Sequence, residues 1–341
     1  MNIPLIGLPA SGKSSLFALL ARSRSGNGKS NGTGVARVPD PRVDFLSGMY
    51  SPGKTTHAQV CLQDNPGYSA AAAASLARKA DAVVLMVGAF AAAAGDGQVV
   101  REFDSLLSDL VIADLAQVES TLERMRNPRG GPHRDNEIAA LAQVQGVLES
   151  GLPASLANLS PEDRTLLGGY GLATWRPIVV AVNLSEEQLG QAGYPGKAEL
   201  ARRCRESGGQ MVEFGCLVEN EIASLPPEDQ QSFLSEYGLQ EPGIHRLARA
   251  VYESMGLVSF FTVGEDEVRA WPLRRGSNAR QAAGKIHSDI ERGFIRAEIF
   301  SFDDLVRLGS ARAVKESGRL RLESRDYIIQ DGDICSFRFN V

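Results

Sequence analysis

The chain has 341 residues, 43% of them hydrophobic and 23% charged, with a net charge of −5. That is the composition of a globular protein of two or three domains, at roughly 100–200 residues each. The acidic balance excludes an indiscriminate nucleic-acid binder, so any RNA contact has to be local. No apolar run approaches the roughly 20 residues of a membrane span. The apolar start lacks a preceding basic segment and is interrupted by Lys13, which argues against a secretory signal. The four cysteines (Cys61, Cys204, Cys216, Cys335) form no CxxC pair, and the four histidines are equally scattered. Neither a disulfide framework nor a metal cluster is indicated, and a reduced cytoplasmic setting is the simplest expectation.

Residues 2–6 read as a short buried strand, followed by a Gly-rich loop and an apolar helix from about Lys13 to Ala21. Residues 22–34 are rich in Ser, Gly and Asn and read as a loop. Val60–Gln63, Asp81–Val87 and Pro177–Val182 are short apolar strands separated by helical segments, the pattern of a mostly parallel sheet with helices on both faces. Leu106, Leu110, Ala113, Val118, Leu122 and Met125 have helical spacing. A Pro/Gly/Arg-rich break at 127–133 and a second helical run over about 136–149 complete an antiparallel hairpin. From Leu257 the chain turns strand-rich, with strands expected at 260–262, 267–271, 295–300, 327–329 and 334–339 and helices at about 278–290 and 302–308. The expected partition is a nucleotide-binding domain over 1–105 and 172–256, a helical insertion over 106–171 and an α+β module over 257–341. That last module carries 14 Lys/Arg and 13 Asp/Glu against 22 and 28 in the remainder, so it is the relatively basic part.

Gly7-Leu8-Pro9-Ala10-Ser11-Gly12-Lys13-Ser14 matches GxxxxGK[ST] in full, between a strand and a helix. The glycines let backbone N–H groups curl around phosphates, Lys13 supplies a point charge, Ser14 suits a Mg²⁺ ion, and the following helix aims its positive end at the same anion. The expected phosphate-binding set is Gly7, Pro9, Ala10, Ser11, Gly12, Lys13, Ser14, Ser15 and Gly67. Asp64-Asn65-Pro66-Gly67 ends the next apolar strand. DxxG there is the second element of P-loop switch proteins, with Asp64 joining Ser14 at the metal and Gly67 at the γ-phosphate; a strand ending in an Asp turn is also common without that role. Asn183-Leu184-Ser185-Glu186 stands where GTPases carry NKxD, and reads either as a base-recognition loop or as the acidic first turn of a helix.

With these motifs the chain resembles the YchF/Obg-like ATPase family. The resemblance is carried by Glu267-Val268-Arg269-Ala270-Trp271, Gly293-Phe294-Ile295-Arg296-Ala297-Glu298, Asp326-Tyr327-Ile328-Ile329-Gln330-Asp331-Gly332-Asp333, Val38-Pro39-Asp40-Pro41-Arg42 and Glu241-Pro242-Gly243, and spans nearly the whole chain. It implies a G domain, an inserted coiled-coil arm and a C-terminal β-grasp (TGS) domain. It also implies association with the ribosome and a preference for ATP over GTP, read through Asn183 and Glu186, with a further base-proximal loop at Gly215-Cys216-Leu217.

The chain departs from the family pattern where hydrolysis is concerned. Ala10 stands where an Asn is usual, an Asn that helps hold an activating monovalent cation in related proteins. The segment 22–32 is short and lacks the Thr pattern of a switch. Tyr68 and an Ala run follow Gly67 in place of a Gly-rich stretch, and Leu85 stands at the position of a His proposed to aid hydrolysis. The expectation is therefore an ATP-binding protein with Mg²⁺, slow to hydrolyse, acting as a switch on the ribosome. The alternatives are a non-hydrolysing module that docks RNA or protein, and a small-molecule kinase, for which no acceptor site stands out. Arg269, Arg274, Arg275, Arg292 and Arg296 near Trp271 and Phe294, or Arg124, Arg126, Arg129 and Arg134 near the hairpin tip, are either RNA-facing or ordinary solvated cations.

Overall fold

The computed structural model describes residues 1–22, 32–65, 67–90, 97–125, 132–191 and 193–340. They divide into two compact units, Met1–Ala36 with Val60–Ser254, and Arg37–Gln59 with Met255–Val341. In chain order the first strands are β1 (Ile3–Gly7), β2 (Thr33–Arg37), β3 (Lys54–Thr56), β4 (Gln59–Gln63), β5 (Val83–Gly88), β6 (Ile178–Asn183) and β7 (Gln210–Phe214).

The first unit is built on a six-stranded sheet of order β2-β4-β1-β5-β6-β7. β1 runs parallel to β4 and β5, and β5, β6 and β7 continue parallel. Every residue of β1, β5 and β6 is buried, which explains why these strands read as continuous apolar runs without alternation: helices cover both faces. In such a sheet the carboxyl ends of the strands open onto one side, and ligands collect there. The P-loop, Asp64, Phe90, Asn183 and the loop at Gly215 all follow strand ends on that side.

The hairpin consists of helices Gln98–Met125 and Pro132–Glu149. The first begins eight residues before the expected boundary at 106, because Val99, Val100 and Phe103 extend its buried stripe. The chain returns toward β6 through Ala173 and Thr174, which are fastened to that helix by Asp114. This fully buried carboxylate accepts the backbone N–H of Ala173 (2.8 Å) and of Thr174 (2.7 Å) and the Thr174 hydroxyl (2.8 Å). Burial pushes its pKa up and the hydrogen bonds pull it back.

The second unit adds β8 (Leu257–Thr262), β9 (Glu267–Arg274), β10 (Phe294–Ser301), β11 (Arg321–Glu323) and β12 (Asp333–Phe339) in a sheet of order β11-β10-β12-β8-β9-β3. Residues 37–59, assigned by sequence to the nucleotide-binding domain, belong to this unit. Lys54–Thr56 pairs in parallel with Glu267–Arg269, and Arg42 of helix Pro41–Tyr50 holds Asp331 at 2.8 Å while its guanidinium lies over Phe261. The expected strand at 327–329 is reduced to one bridge, Asn278 to Ile328, and β11 takes the edge. The expected helix over 278–290 breaks at His287, whose extended backbone separates Ala279–Ile286 from Ser288–Arg292. The core gathers Val258, Phe260, Leu273, Ala282, Ile299 and Cys335. Among the described residues no helix is long and apolar enough to cross a membrane.

Candidate functional site

The Gly7–Ser14 loop leaves the buried end of β1 and closes on the helix Lys13–Arg22. Two of its glycines are required by contact. A Cβ on Gly7 would meet the Met86 carbonyl oxygen at 2.6 Å, and one on Gly12, whose φ is +102°, would lie 2.1 Å from Asn183 Nδ2. Ala10 adopts φ +62°, a left-handed conformation that Gly or Asn takes with less strain. The helix that follows carries no acidic residue in its first turn, so its positive end is not offset.

Lys13 is 9% exposed and donates to the carbonyl oxygens of Gly7 (2.5 Å) and Leu8 (2.9 Å). Burial lowers its pKa, and the charge of Asp64 opposes that shift. Ser14 is exposed at the mouth of the loop. Its hydroxyl and the Asp64 carboxylate are hard oxygen donors on one pocket, the kind of sparse set that Mg²⁺ takes when phosphate and water complete its shell. No group of three or more His, Cys, Asp or Glu able to hold a metal occurs among the described residues.

These residues border a pocket of about 790 Å³, within the range of small-molecule sites. Pro9, Ala10, Gly12, Lys13, Ser14, Ser15, Asp64 and Gly67 line one end, and Asn183, Leu184, Ser185, Glu186, Leu217, Val218 and Glu221 line the other, with Phe90 beside them. Gly7, Ser11, Gly215 and Cys216 stand behind that wall. Ser11 is buried, with its hydroxyl unpaired.

Asn183 is the joint between the two halves. Its Nδ2 donates to Ser11 O (3.3 Å) and its Oδ1 accepts the Cys216 N–H (3.0 Å), so one side chain ties the P-loop to the loop at 215–217. Glu186 opens the short helix Glu186–Leu189, which Ser185 caps with Gln188 in a capping box. Asn183–Glu186 is thus a helix start whose Asn183 and Glu186 line the pocket. Glu186 accepts a hydrogen bond from the Tyr237 hydroxyl at 2.8 Å.

Several site residues escaped the motifs. Phe90 borders the pocket beside Glu186, and the residues before it are held by Gln188, whose amide donates to Ala89 O (2.7 Å), and by Glu102, which accepts the Gly88 N–H (3.0 Å). Its signal was positional, an aromatic directly after a buried parallel strand. Asn220 donates to Ser15 O (3.0 Å), fastening helix Cys216–Ile222 to the P-loop helix. Glu219 of that helix is buried, and burial pushes its carboxyl up to about 7 while the Gly243 N–H and the charge of Arg246 oppose the shift.

Tyr68, which follows Gly67, does not line the pocket. It packs against the core, and its hydroxyl donates to Asp109 of helix Gln98–Met125. Leu85 is fully buried in β5 and presents nothing to the pocket. The segment 23–31, Pro66, Arg126 and Arg129 lie outside the described residues. In the second unit, Arg269 lies 3.9 Å over the Trp271 ring and Arg292 pairs with Asp289, while Arg274, Arg275 and Arg296 are exposed.

Residues 257–340 match the family "YchF-GTPase_C: Protein of unknown function (DUF933)". The protein "Ribosome-binding ATPase YchF" of Bacillus subtilis is 32% identical over 99% of this chain and 98% of its own, and "Obg-like ATPase 1" of Oryza sativa is 31% identical over 100% and 92%. The structure of the Schizosaccharomyces pombe YchF GTPase superposes with a TM-score of 0.90 at 25% identity, covering 99% of this chain and 97% of that one.

Proposed function

We infer the function from the premise that this chain belongs to the YchF/Obg-like ATPase family, established by relatives 32% identical along its whole length. It is an ATP-binding P-loop protein that hydrolyses slowly and acts as a nucleotide-dependent switch on the ribosome in the cytoplasm. The ribosome and ATP come from the names of those relatives. The observation that carries the nucleotide reading is the pocket itself, with Lys13 and Ser14 at one end, Glu186 and Phe90 at the other, and Asn183 joining them.

The backbone N–H groups of residues 10–14 and the start of helix Lys13–Arg22 would bind the phosphates. Lys13 would exchange its two carbonyl acceptors for phosphate oxygens, which explains why a buried ammonium is kept there. Ser14 and Asp64 would hold Mg²⁺, which neutralises charge on the phosphate oxygens when bound. Phe90 and Leu217 offer apolar surface to a base, and the Glu186 carboxylate is an acceptor suited to the 6-amino group of adenine.

A second reading has its own support. Tyr68 is turned to Asp109 and Leu85 is buried, so neither supplies a group that positions water or neutralises developing charge. A chain so equipped binds ATP without turning it over and docks a partner in that state. The exposed Arg274, Arg275 and Arg296 of the second unit and the hairpin are the proposed contact surfaces for RNA or the ribosome.

ATP affinity measured beside phosphate release, with Mg²⁺ and K⁺, alone and with ribosomes, tests both readings. Slow release accelerated by ribosomes supports the switch. Tight binding with no release under any condition selects the docking module. Failure to bind ATP, or binding that survives Lys13→Ala, sinks the nucleotide reading.

A further inference from the structure

We propose that Tyr237 sets base selectivity by occupying one oxygen of Glu186, so that the pocket accepts a base with a single hydrogen-bond donor on its Watson–Crick edge and disfavours one with two. This rests on the nucleotide reading of the pocket and deepens it.

Tyr237 caps the carboxyl end of helix Pro227–Glu236. Its hydroxyl donates to Glu186 Oε1 at 2.8 Å, and that hydrogen bond, with the nearby charges of Glu186, Glu221 and Glu236, raises the phenol's pKa, so it remains a donor at neutral pH. Glu186 and Glu221 line the pocket, and Tyr237, which does not, reaches Glu186 from beside it. Among the described residues Glu186 Oε2 has no protein hydrogen-bond partner.

A carboxylate is acceptor-only, with two oxygens that can take two parallel N–H donors. Guanine presents two such donors side by side, N1–H and the 2-amino group. Adenine presents one, the 6-amino group, beside the N1 acceptor. The Tyr237 hydroxyl takes one lone pair of Oε1 and fixes the carboxylate's orientation, so Oε2 is the oxygen left without a protein partner. Adenine's single donor is satisfied by it. Guanine's second donor has to share Oε1 with the phenol or displace it, and a recognition site that leaves a donor without a full partner discriminates against the base that carries it.

The test measures displacement of a fluorescent ATP analogue by ATP, GTP and ITP, each with Mg²⁺, from the full chain and from Tyr237→Phe. The hypoxanthine of ITP carries N1–H but no 2-amino group, so it reports the first donor without the second. Removing the phenol is expected to raise GTP affinity by about tenfold relative to ATP, the scale of one added hydrogen bond to a charged group, and to raise ITP affinity much less. Equal changes for all three nucleotides would mean a merely structural role and overturn the proposal, as would an unchanged ratio of ATP to GTP. If the unaltered chain binds none of the three, the nucleotide reading itself falls, and the proposal with it.

Discussion

The Tyr68 hydroxyl donates to Asp109, so the residues following Gly67 are fastened to the long helix Gln98–Met125 and face away from the pocket. Ser69 caps the helix Ala70–Arg78 directly afterwards, which leaves little free chain between Asp64 and regular structure. A segment that would respond to a γ-phosphate by moving is thereby held at its far end.

Tyr68→Phe removes that hydrogen bond while keeping the ring in the core. The expected loss of stability is about 1 kcal/mol, read from chemical denaturation. ATP affinity should change less than twofold, since Tyr68 does not line the pocket. A tenfold change in affinity would show that the segment reaches the nucleotide after all.

Gly12 and Gly67 both have positive φ, at +102° and +80°, but only Gly12 is crowded. Gly12→Ala adds a methyl group against the Asn183 amide as well as backbone strain, and should cost about 2–3 kcal/mol and at least about tenfold in nucleotide affinity. Gly67→Ala has open space around it and should cost about 1 kcal/mol through the backbone alone. Equal costs for the two, measured by denaturant melts, would contradict the joint assigned to Asn183.

The buried Glu219 predicts a pH dependence. Its carboxyl is pushed up to about 7 in the folded chain, against 4.5 for an unperturbed one. The folded state therefore binds the proton more tightly than the unfolded state does. The stabilisation is fully present below about pH 4.5 and is lost as pH rises through about 7, amounting to about 3 kcal/mol at most. Glu219→Gln keeps an acceptor for the Gly243 N–H and removes the titration, so its stability should be flatter than the parent's between pH 5 and 8. Parallel pH profiles would refute this assignment.

Ala10 sits at φ +62° on the rim of the phosphate loop. Ala10→Asn introduces a side chain that tolerates this conformation, so the variant should fold with stability within about 0.5 kcal/mol of the parent. If an asparagine there supplies the monovalent-cation ligand that the family resemblance implies, phosphate release should become faster in K⁺ than in an equal concentration of a bulky organic cation. Rates that remain independent of the cation would count against that role.

What the sequence by itself determined is what local chemistry determines. The Gly7–Ser14 loop is a contiguous string whose spacing is its function. The buried strands at 83–88 and 178–183 are legible because a sheet covered on both faces needs unbroken apolar runs, and the hairpin because its stripe repeats at helical spacing. Tertiary structure alone decided the rest, since each of these features depends on a partner distant in sequence. Lys54–Thr56 is a polar tripeptide that becomes a strand only because β9 offers its edge. Asn183 becomes the joint of the pocket only because Ser11 and Cys216 approach it from either side. Tyr68, which follows Gly67 in sequence, is packed against the core with its hydroxyl on an acid 41 residues along the chain. Hydrogen bonds of this kind leave no periodicity in the sequence, because their geometry exists only after the sheet has brought its strand ends together.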